Sequence, residues 1–500
     1  MLHGGRGIPE SSQRRGDRMI ERAGYMPGIT AGDIAWQTLR FGGNENPIEI
    51  AVPELSDHQM QSMAATVRTA SRKLKARPTQ QIVESIDRTI ARLLDRSEPI
   101  RRKAEDLLPR VTGYDAEMVR LGLTGYLKTF RKPELQKFLA EDFANPMMLD
   151  DFQPMPKGGH ARAFGPDVLA HIWAGNVPGL PIWSLVSGLL VKAGNIGKIP
   201  SAEPLFAGWF AQLLAETDPE IADCLAVVWW QGGDTAREAA LLREADVVLA
   251  YGSNAALAAI RDRVPVTTRY LPYGHKISFG MISKTALDTR KVTATAHQTA
   301  YDVVRYDQQG CYSPHVFFVQ RGGKVSPKEF CQYVAHELAA FEKKYPRRSL
   351  SVSEAGDIAA WRHQAEIKSF GEGDGQILGD AAGAWSVVYS EDDEDLAPSG
   401  LNRTIKIVAV DTLADVAPRI APYRKFLQTV GISAAPEELY ALGTLLGQEG
   451  ITRISALGHM TAPEAGWHHD GRFNLLDLIT ITEIEGSAEK AADAFASYAD

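Results

Sequence analysis

The run VLAHIWAGNVPGLPIWSLVSGLLV (168–191) joins a short apolar strand to an apolar helix through a turn rich in glycine and proline. Further short apolar runs follow it, and predicted helices separate them: runs at 225–230, 246–250 and 264–271, helices at 181–193, 204–216, 234–243 and 254–262. Strands that alternate with such helices indicate right-handed crossovers and a parallel sheet. The sequence therefore predicts a Rossmann-like α/β half of the molecule in this region.

A second series of alternating elements begins after Gly274. The apolar runs predict strands at 277–282, 316–319, 385–389 and 405–410, with helices at 326–344 and 412–428. Upstream of both series, residues 57–145 are rich in amphipathic helix. The last apolar run, 475–484, predicts a strand that either returns to the first domain or pairs with another subunit.

Composition and charge limit the class of protein. Hydrophobic residues make up 44% of the chain and charged residues 23%, with a formal net charge of −8, as in soluble globular proteins. The charges do not segregate into a basic face, which argues against nucleic acid as a partner. The most apolar run, 177–191, contains two prolines near its start and is shorter than the roughly 20 residues of a transmembrane helix. We therefore expect a cytoplasmic protein without a membrane span.

Cys311 is the residue that most strongly indicates chemistry. It is one of three cysteines, with Cys224 and Cys331, which do not form a disulfide framework and fit a reducing compartment. In DQQGCYSPHVFFV (307–319) it follows a glycine, ends a polar loop and precedes an apolar strand. A thiol placed there can face a substrate while the strand fixes its direction. The alternative is a packed free cysteine that behaves as a small hydrophobe.

Four segments together resemble the bacterial long-chain acyl-CoA reductase family, the fatty-acid reductase component of bioluminescence systems. They are AGNVPGLPIW (174–183), GNIGKIPSAEPLF (194–206), LPYGHKISFG (271–280) and the cysteine loop. That family is a divergent branch of the aldehyde dehydrogenase superfamily. The resemblance implies an aldehyde-dehydrogenase-like α/β fold with two Rossmann-like domains, a helical N-terminal region and a C-terminal strand for pairing between subunits or domains.

The domain limits expected from this resemblance divide the chain into four parts. They are a flexible N-terminal arm (1–40), a cofactor-binding domain (41–275), a catalytic domain that carries the cysteine (276–460), and a C-terminal strand and tail (461–500) for oligomerisation or return to the first domain. A cleft between two such domains is the usual place for a cofactor to meet a substrate.

The resemblance also implies roles for individual residues. Cys311 is the nucleophile, and the Asn176 amide forms an oxyanion hole with the backbone N–H of Cys311. Lys198 contacts the adenosine ribose of the cofactor, and Ser201 stands where NAD-preferring relatives tend to carry a glutamate, which favours NADPH; Glu203 lies close enough to weaken this inference. The turns expected beneath the pyrophosphate contain Gly232, Gly233, Gly252 and Ser253.

Pro272 is the main departure from the hydrolytic aldehyde dehydrogenases. In those enzymes the place of LPYGHK (271–276) reads LELGGK, and the glutamate activates water to release the acid. Without that base, a thioester on Cys311 survives long enough for exchange with coenzyme A. The resemblance thus implies NADPH-dependent reduction of an acyl-CoA, with a long fatty acyl chain, to the aldehyde. His275 or His315 is a candidate acid–base group, and Trp183 a candidate for the substrate tunnel.

Other functions stay open from the sequence. They are an oxidative aldehyde dehydrogenase, a cofactor-free cysteine acyltransferase or thioesterase, and a non-catalytic scaffold. The missing glutamate argues against the oxidative aldehyde dehydrogenase. The expected partners are an acyl-CoA or acyl-carrier substrate, an acyl-activating or acyl-transferring protein, and further copies of this chain. No histidine or cysteine spacing matches a metal site, so we assign no metal.

Overall fold

The computed structural model describes residues 12–15, 18–42, 47–372, 375–380, 382–391 and 396–497. Its first element is a four-stranded sheet in the order β1-β2-β4-β3, formed by β1 (Ser12–Arg15), β2 (Arg18–Arg22), β3 (Ala35–Phe41) and β4 (Ile48–Glu54). The described part of the arm expected over residues 1–40 therefore contains strands.

Two interactions hold this segment against the rest of the molecule. Tyr25 exchanges both backbone hydrogen bonds with Val227, at 2.9 and 2.7 Å. The buried Glu21 carboxylate accepts hydrogen bonds from Lys103 Nζ at 3.0 Å and from Trp209 Nε1 at 3.1 Å. Because these partners lie more than 80 positions away in the chain, local sequence does not predict the order of the segment. The limits of the four expected domains stay a prediction.

Five helices follow and pack against the first α/β half. They are α1 (Asp57–Leu74), α2 (Thr79–Leu94), α3 (Pro99–Thr112), α4 (Ala116–Lys128) and α5 (Lys132–Asp142). The amphipathic pattern over α2 places Ile82, Ile86 and Ile90 in the core, where each is fully buried. Two short strands come next, β5 (Gln153–Pro154) and β6 (His160–Phe164).

The first α/β series forms a five-stranded parallel sheet in the order β11-β10-β7-β8-β9. In chain order its elements are β7 (Val168–Ile172), α6 (Pro181–Leu190), β8 (Gly194–Lys198), α7 (Phe206–Thr217), β9 (Leu225–Val228), α8 (Thr235–Glu244), β10 (Val247–Tyr251), α9 (Asn254–Arg261) and β11 (Arg269–Tyr273). The strand order reverses between β7 and β10, and ligands of open α/β sheets bind outside the carboxyl ends of the strands at such a point.

The second series forms a seven-stranded sheet in the order β14-β15-β16-β13-β12-β17-β18, parallel except for β14. Its elements are β12 (Ile277–Ile282), α10 (Val292–Val304), β13 (Pro314–Gln320), α11 (Pro327–Lys344), α12 (Val352–Glu372), β14 (Gln376–Gly379), β15 (Ser386–Glu391), β16 (Thr404–Val410), α13 (Val416–Ile420), β17 (Leu427–Ser433), α14 (Pro436–Gln448) and β18 (Arg453–Ala456). These two α/β sheets give the molecule the aldehyde-dehydrogenase-like architecture that the resemblance implied.

The prediction of a helix over residues 412–428 is wrong at the C-terminal end of that range. The α-helix there is short, and β17 begins at Leu427 and pairs with β12 and β18. Gln428 and Thr429 are polar yet fully buried inside this strand. Their polarity breaks the apolar pattern by which a central strand is recognised.

The C-terminal strand returns to the first half of the same chain. β19 (Thr480–Ile484) pairs antiparallel with β6 and completes a three-stranded sheet in the order β19-β6-β5. The strand is shorter than the expected 475–484, because Leu476–Leu478 forms a 3₁₀ turn before it. The last helix, α15, spans Gly486–Asp493.

Candidate active site

Cys311 lies in the loop between α10 and β13. Its thiol is free and partly buried. The Sγ atom accepts a hydrogen bond from Gln428 Nε2 at 3.4 Å, and the backbone carbonyl accepts one from Ser278 Oγ at 2.9 Å. Burial raises the pKa of the Cys311 thiol to about 11, while the hydrogen bond from Gln428 opposes that rise. Cys224 and Cys331 are fully buried, so Cys311 is the thiol that a substrate can reach.

The loop before Cys311 has an unusual backbone. Tyr306, Asp307 and Gln308 all have left-handed φ angles, at 48°, 48° and 63°. A second run of three, residues 401–403, has φ angles of 54°, 49° and 69°. Left-handed residues other than glycine are uncommon, and they persist where surrounding contacts enforce them. Two runs of left-handed residues indicate that contacts with neighbouring residues fix the conformation of this loop.

Buried polar contacts tie these two runs together. Arg403 Nε donates to Asp307 Oδ1 at 2.7 Å, and the Asn402 N–H donates to the Asp307 carbonyl at 3.0 Å. Gln308 accepts from the Thr404 N–H at 2.9 Å through Oε1. A Cβ atom at Gly310 would lie 2.4 Å from the ring of Tyr312, so glycine is required directly before Cys311. The loop therefore presents the thiol in one fixed position.

Asn176 is brought to this loop from the end of β7. Its side-chain Nδ2 donates to the Gln309 carbonyl at 2.6 Å, two residues before Cys311. Its own carbonyl accepts from the Tyr114 hydroxyl at 2.8 Å, and the same hydroxyl contacts the Tyr306 carbonyl at 3.3 Å. The structure thus brings together Asn176 and the cysteine loop, which are 135 positions apart in the sequence (311 − 176).

Two further residues contact this site and were not among the residues expected from sequence. Gln428, from β17, reaches Cys311, and its Nε2 also donates to Asp470 Oδ1 at 2.6 Å. Asp470 lies in a 3₁₀ turn with a left-handed φ of 55°, and Lys276 Nζ is 3.5 Å from its second carboxylate oxygen. The signal that could have found Gln428 is a polar residue inside the apolar run FLQTVGI (426–432).

The residues expected to bind a cofactor lie at the carboxyl ends of three strands of the parallel sheet. Lys198 ends β8, Gly232 and Gly233 follow β9, and Gly252 and Ser253 follow β10. Gly233 has a φ of +90°, and a Cβ at either Gly232 or Gly233 would meet no atom within 4 Å. Ser253 caps α9 by accepting from the Ala256 N–H at 3.2 Å. These turns leave open space and backbone N–H groups at the carboxyl edge of the sheet, which suits a dinucleotide.

Ser201 and Glu203 differ in what they offer a cofactor. Ser201 is exposed, and its hydroxyl accepts from Trp229 Nε1 at 3.2 Å. Glu203 instead turns into the start of α7, where its carboxylate accepts from the N–H groups of Leu205 and Phe206 at 2.8 and 2.9 Å. Burial raises the pKa of Glu203. Its carboxylate is therefore engaged within the protein and does not take the place of a ribose-binding glutamate.

A cavity of about 290 Å³ lies beside the carboxyl edge of the first sheet. Its lining includes Leu257 from α9, Pro272 from β11, Gly274 from the turn that follows β11, and Asp470. Pro272 pairs with Ala250 in the sheet, so no carboxylate projects from this position. Asp470 accepts a hydrogen bond from Gln428, which also contacts Cys311, so the cavity borders residues linked to the thiol.

The candidate histidines occupy different environments. His315 Nδ1 accepts from the Ser399 N–H at 3.1 Å, and burial lowers the pKa of His315 to about 4. The imidazole of His315 is held by this contact with a neighbouring loop, and its role as an acid–base group stays a prediction. His275 is exposed at the rim of the cavity. Within the described ranges, no group of three or more histidine, cysteine or acidic side chains is arranged to hold a metal, and no helix is long and apolar enough to cross a membrane.

Solved structures with a similar fold are aldehyde dehydrogenases. Aldehyde dehydrogenase 21 from Physcomitrella patens, in complex with succinate, superposes with a TM-score of 0.70 over 93% of this chain and 98% of its own, at 13% identity. An aldehyde dehydrogenase from Brucella melitensis gives 0.69 over 92% and 96%, at 14% identity. The NADP complex of glyceraldehyde-3-phosphate dehydrogenase from Methanocaldococcus jannaschii gives 0.65 over 87% and 95%, at 13% identity. The fold is that of the aldehyde dehydrogenases, and the third of these structures is a complex with NADP.

Sequence comparison assigns the chain to a more specific family than the fold does. The family model described as acyl-CoA reductase (LuxC) matches residues 74–481, and the chain belongs to this family. The long-chain acyl-protein thioester reductase of Photorhabdus luminescens is 26% identical over 383 residues, 76% of each chain. The corresponding enzyme of Photobacterium phosphoreum is 24% identical over 381 residues, 74% of each chain. The protein is an oxidoreductase of the acyl reductase type, as the resemblance implied.

Proposed function

We propose that the protein reduces the acyl group of a long-chain acyl thioester, on coenzyme A or on a carrier protein, to the aldehyde with NADPH through an acyl intermediate on Cys311. The observation that carries this proposal is the position of Cys311, which follows a rigid left-handed loop and lies beside Asn176 and Gln428. The names of the relatives support the acyl thioester as substrate class.

The Cys311 sulfur forms a bond to the acyl carbon while the carbonyl electron pair moves to oxygen. Asn176 Nδ2 carries two hydrogens, of which one is donated to Gln309, so the second is available to that oxygen together with the Cys311 N–H. Collapse of the adduct releases the carrier thiolate, which takes up the proton that Cys311 lost. Because burial keeps the thiol protonated near neutral pH, that proton leaves as the sulfur attacks.

NADPH, held by Lys198, Ser201 and the turns at 232–233 and 252–253, would supply the hydride that reduces the thioester carbon. The sulfur of Cys311 then leaves with its bonding electrons as a thiolate, and the oxygen reforms the carbonyl of the free aldehyde. The thiolate regains a proton, so that each turnover consumes one NADPH and one proton and releases one carrier thiol. Pro272 leaves no carboxylate to activate water, which supports reduction over hydrolysis of the acyl group.

Three residues at the adenosine end support NADPH over NADH. Ser201 is small and uncharged, so it leaves room for a 2′-phosphate. Glu203 is engaged with the first turn of α7 and adds no free carboxylate there. Burial lowers the pKa of Lys198, yet an ammonium at this edge still favours a phosphate group.

Aromatic side chains near the site support a long apolar acyl chain. Trp183 packs against Phe130, Phe138 and Trp467, with ring centroids 6.0, 5.1 and 6.4 Å apart. Trp467 in turn contacts His469, the neighbour of Asp470, at 4.8 Å. This aromatic series extends from the helical region to the turn that contains Asp470, and its apolar rings are chemically compatible with a hydrocarbon chain.

Product analysis tests the proposal. The protein is mixed with NADPH and acyl-CoA substrates of graded chain length, or with an acyl-carrier thioester, and both NADPH oxidation and aldehyde release are followed. The proposal expects one aldehyde per NADPH, with faster turnover of long chains. Release of free acid without NADPH oxidation would indicate a thioesterase. Conversion of aldehyde and NADP to acid, with no acyl-CoA reduction, would indicate an oxidative dehydrogenase.

A further inference from the structure

One amide group joins the thiol of Cys311 to a carboxylate. Gln428 Nε2 lies 3.4 Å from Cys311 Sγ and 2.6 Å from Asp470 Oδ1. Gln428 is fully buried, and the Asp470 side chain is 9% exposed. Because the amide nitrogen has two hydrogens, it can donate to both neighbours at the same time.

The surrounding structure fixes which end of the amide faces the thiol. A carboxylate only accepts hydrogen bonds, so Asp470 requires the nitrogen end of Gln428 to point toward it and toward Cys311. The Gln428 backbone is held within β17, where its carbonyl accepts from the Thr452 N–H at 3.0 Å. Asp470 itself is held in a left-handed turn, with φ of 55°. A strained residue beside a reacting group often has a functional role.

The charges around the thiol show why a neutral donor is useful. Burial raises the thiol pKa most strongly, and the Asp470 carboxylate raises it further, while Lys276 lowers it. The thiol also interacts electrostatically with the side chains of Arg453, Tyr251 and Tyr312. Lys276 Nζ lies 3.5 Å from Asp470, so it offsets part of the negative charge. The Gln428 side chain donates to the sulfur at 3.4 Å, and the backbone N–H of Cys311 also stabilises the thiolate.

We infer that Gln428 is a catalytic residue whose amide stabilises negative charge on the Cys311 sulfur, and that Asp470 is a positioning residue that holds this amide toward the sulfur. The role of Gln428 in acyl transfer rests on the proposed function. Negative charge develops on the sulfur twice in that reaction, once when the thiol attacks and again when the aldehyde leaves. A donor fixed by Asp470 therefore assists both steps.

The first test measures the thiol directly. Gln428→Met keeps the length of the side chain and removes the donor, and the rate of Cys311 alkylation by iodoacetamide is followed between pH 7 and 11. Because burial already raises the pKa of the Cys311 thiol to about 11, loss of one hydrogen bond to a charged group is expected to lower the thiolate fraction, and with it the alkylation rate, about tenfold at each pH below 11. The melting temperature reports whether the variant is folded. A folded Gln428→Met protein with an unchanged alkylation profile overturns the role of Gln428.

The second test separates positioning from simple structural support. Asp470→Asn is expected to slow acylation by a labelled acyl-CoA at least about fivefold in the parent, but less than about twofold in the Gln428→Met background, because Asp470 acts through Gln428. Asp477→Asn is the matched control, since Asp477 lies in the same segment and pairs with Arg472 at 3.0 Å. Equal effects of Asp470→Asn in both backgrounds overturn the positioning role.

The two tests also distinguish this inference from the proposed function. If the parent protein is never acylated, the proposed function fails, while the alkylation profile still decides whether Gln428 stabilises the thiolate. If the parent is acylated and Gln428→Met is acylated at the parent rate, the inference fails and the proposed function stands.

Discussion

Asp307 and Arg403 form a buried ion pair in the loop that leads to the nucleophile, with Arg403 Nε donating to Asp307 Oδ1 at 2.7 Å. Each side chain is only 2% exposed. Both residues have left-handed backbones, and each belongs to a run of three such residues. Arg403 also pairs with Glu342 at 2.6 Å. The pair therefore couples two strained segments and fixes the backbone four residues before Cys311.

Removing one partner of this pair should destabilise the protein and misplace the thiol. Asp307→Asn leaves Arg403 buried with only Glu342 to balance it, so we expect a loss of about 3 kcal/mol in the free energy of unfolding, the lower end of the range for broken buried pairs. Urea denaturation measures this loss, and acylation should slow in the folded fraction. The control is Glu134→Gln, which breaks an exposed pair with Lys137 and should cost less than about 1 kcal/mol. A loss no larger than that of the control contradicts the bracing role.

Asn176→Ala should slow acyl transfer without weakening cofactor binding. Loss of one oxyanion donor is expected to lower the acylation rate about hundredfold to thousandfold, while the KM for NADPH stays near that of the parent. Stopped-flow measurement of acyl-enzyme formation checks this. Asn145→Ala serves as the control, because Asn145 also donates from a turn but bonds Gln153, away from the cysteine loop. Similar acylation rates for the two variants would exclude the oxyanion role of Asn176.

A carboxylate at position 201 should discriminate against the 2′-phosphate of NADPH. In Ser201→Glu, repulsion between like charges is expected to raise the KM for NADPH at least about tenfold and to leave NADH less affected. Steady-state kinetics with both cofactors measure the ratio. Ser201→Ala removes the hydroxyl that accepts from Trp229 but adds no charge, so it should keep the parent preference. The same change of preference in both variants would show that charge is not the cause.

Asp302 should make stability depend on pH between about 4 and 7. Its buried carboxyl accepts from the N–H groups of Gly458 and Met460 at 2.6 and 3.1 Å, and burial raises its pKa from 3.8 to about 7. Between these pH values the folded state holds a proton that the unfolded state has lost. The stabilisation from this group is therefore present below pH 4 and is lost as the pH rises through about 7.

The measurement is a comparison of the parent with Asp302→Asn. The difference in the free energy of unfolding, parent minus variant, should decrease by up to about 1.4 kcal/mol per pH unit in that interval and level off above it. A difference that does not change with pH would show that the Asp302 carboxyl titrates near its ordinary value.

Sequence patterns predicted much of the fold because apolar periodicity reports burial directly. The strand at 277–282 and the helix at 326–344 lie within one residue of their observed limits. Strand β17 was missed because Gln428 and Thr429 place polar groups in a buried strand. The N-terminal strands were missed because their order depends on remote partners such as Val227.

The candidate site likewise contains some residues that the sequence predicted and others that it did not. Cys311 and Asn176 stand next to recognisable turns, and the structure brings their segments together. The contact between Gln428 and Asp470 joins positions 42 apart through packing of a turn on a strand, for which the sequence has no local signal. The left-handed backbones at 306–308 and 401–403 belong to residue types that do not require them, so only the assembled structure reveals them.

The most direct test of the account is chemical capture of the acyl group. The protein is incubated with a radiolabelled long-chain acyl-CoA without NADPH, and the label is located by peptide mapping. The account predicts about one label per chain on the peptide that contains Cys311, discharge of that label as aldehyde when NADPH is added, and no label in Cys311→Ser. Cys331→Ala, which changes a fully buried thiol, should keep the label. Full labelling of Cys311→Ser, or a label on Cys311 that NADPH does not release as aldehyde, would contradict the account.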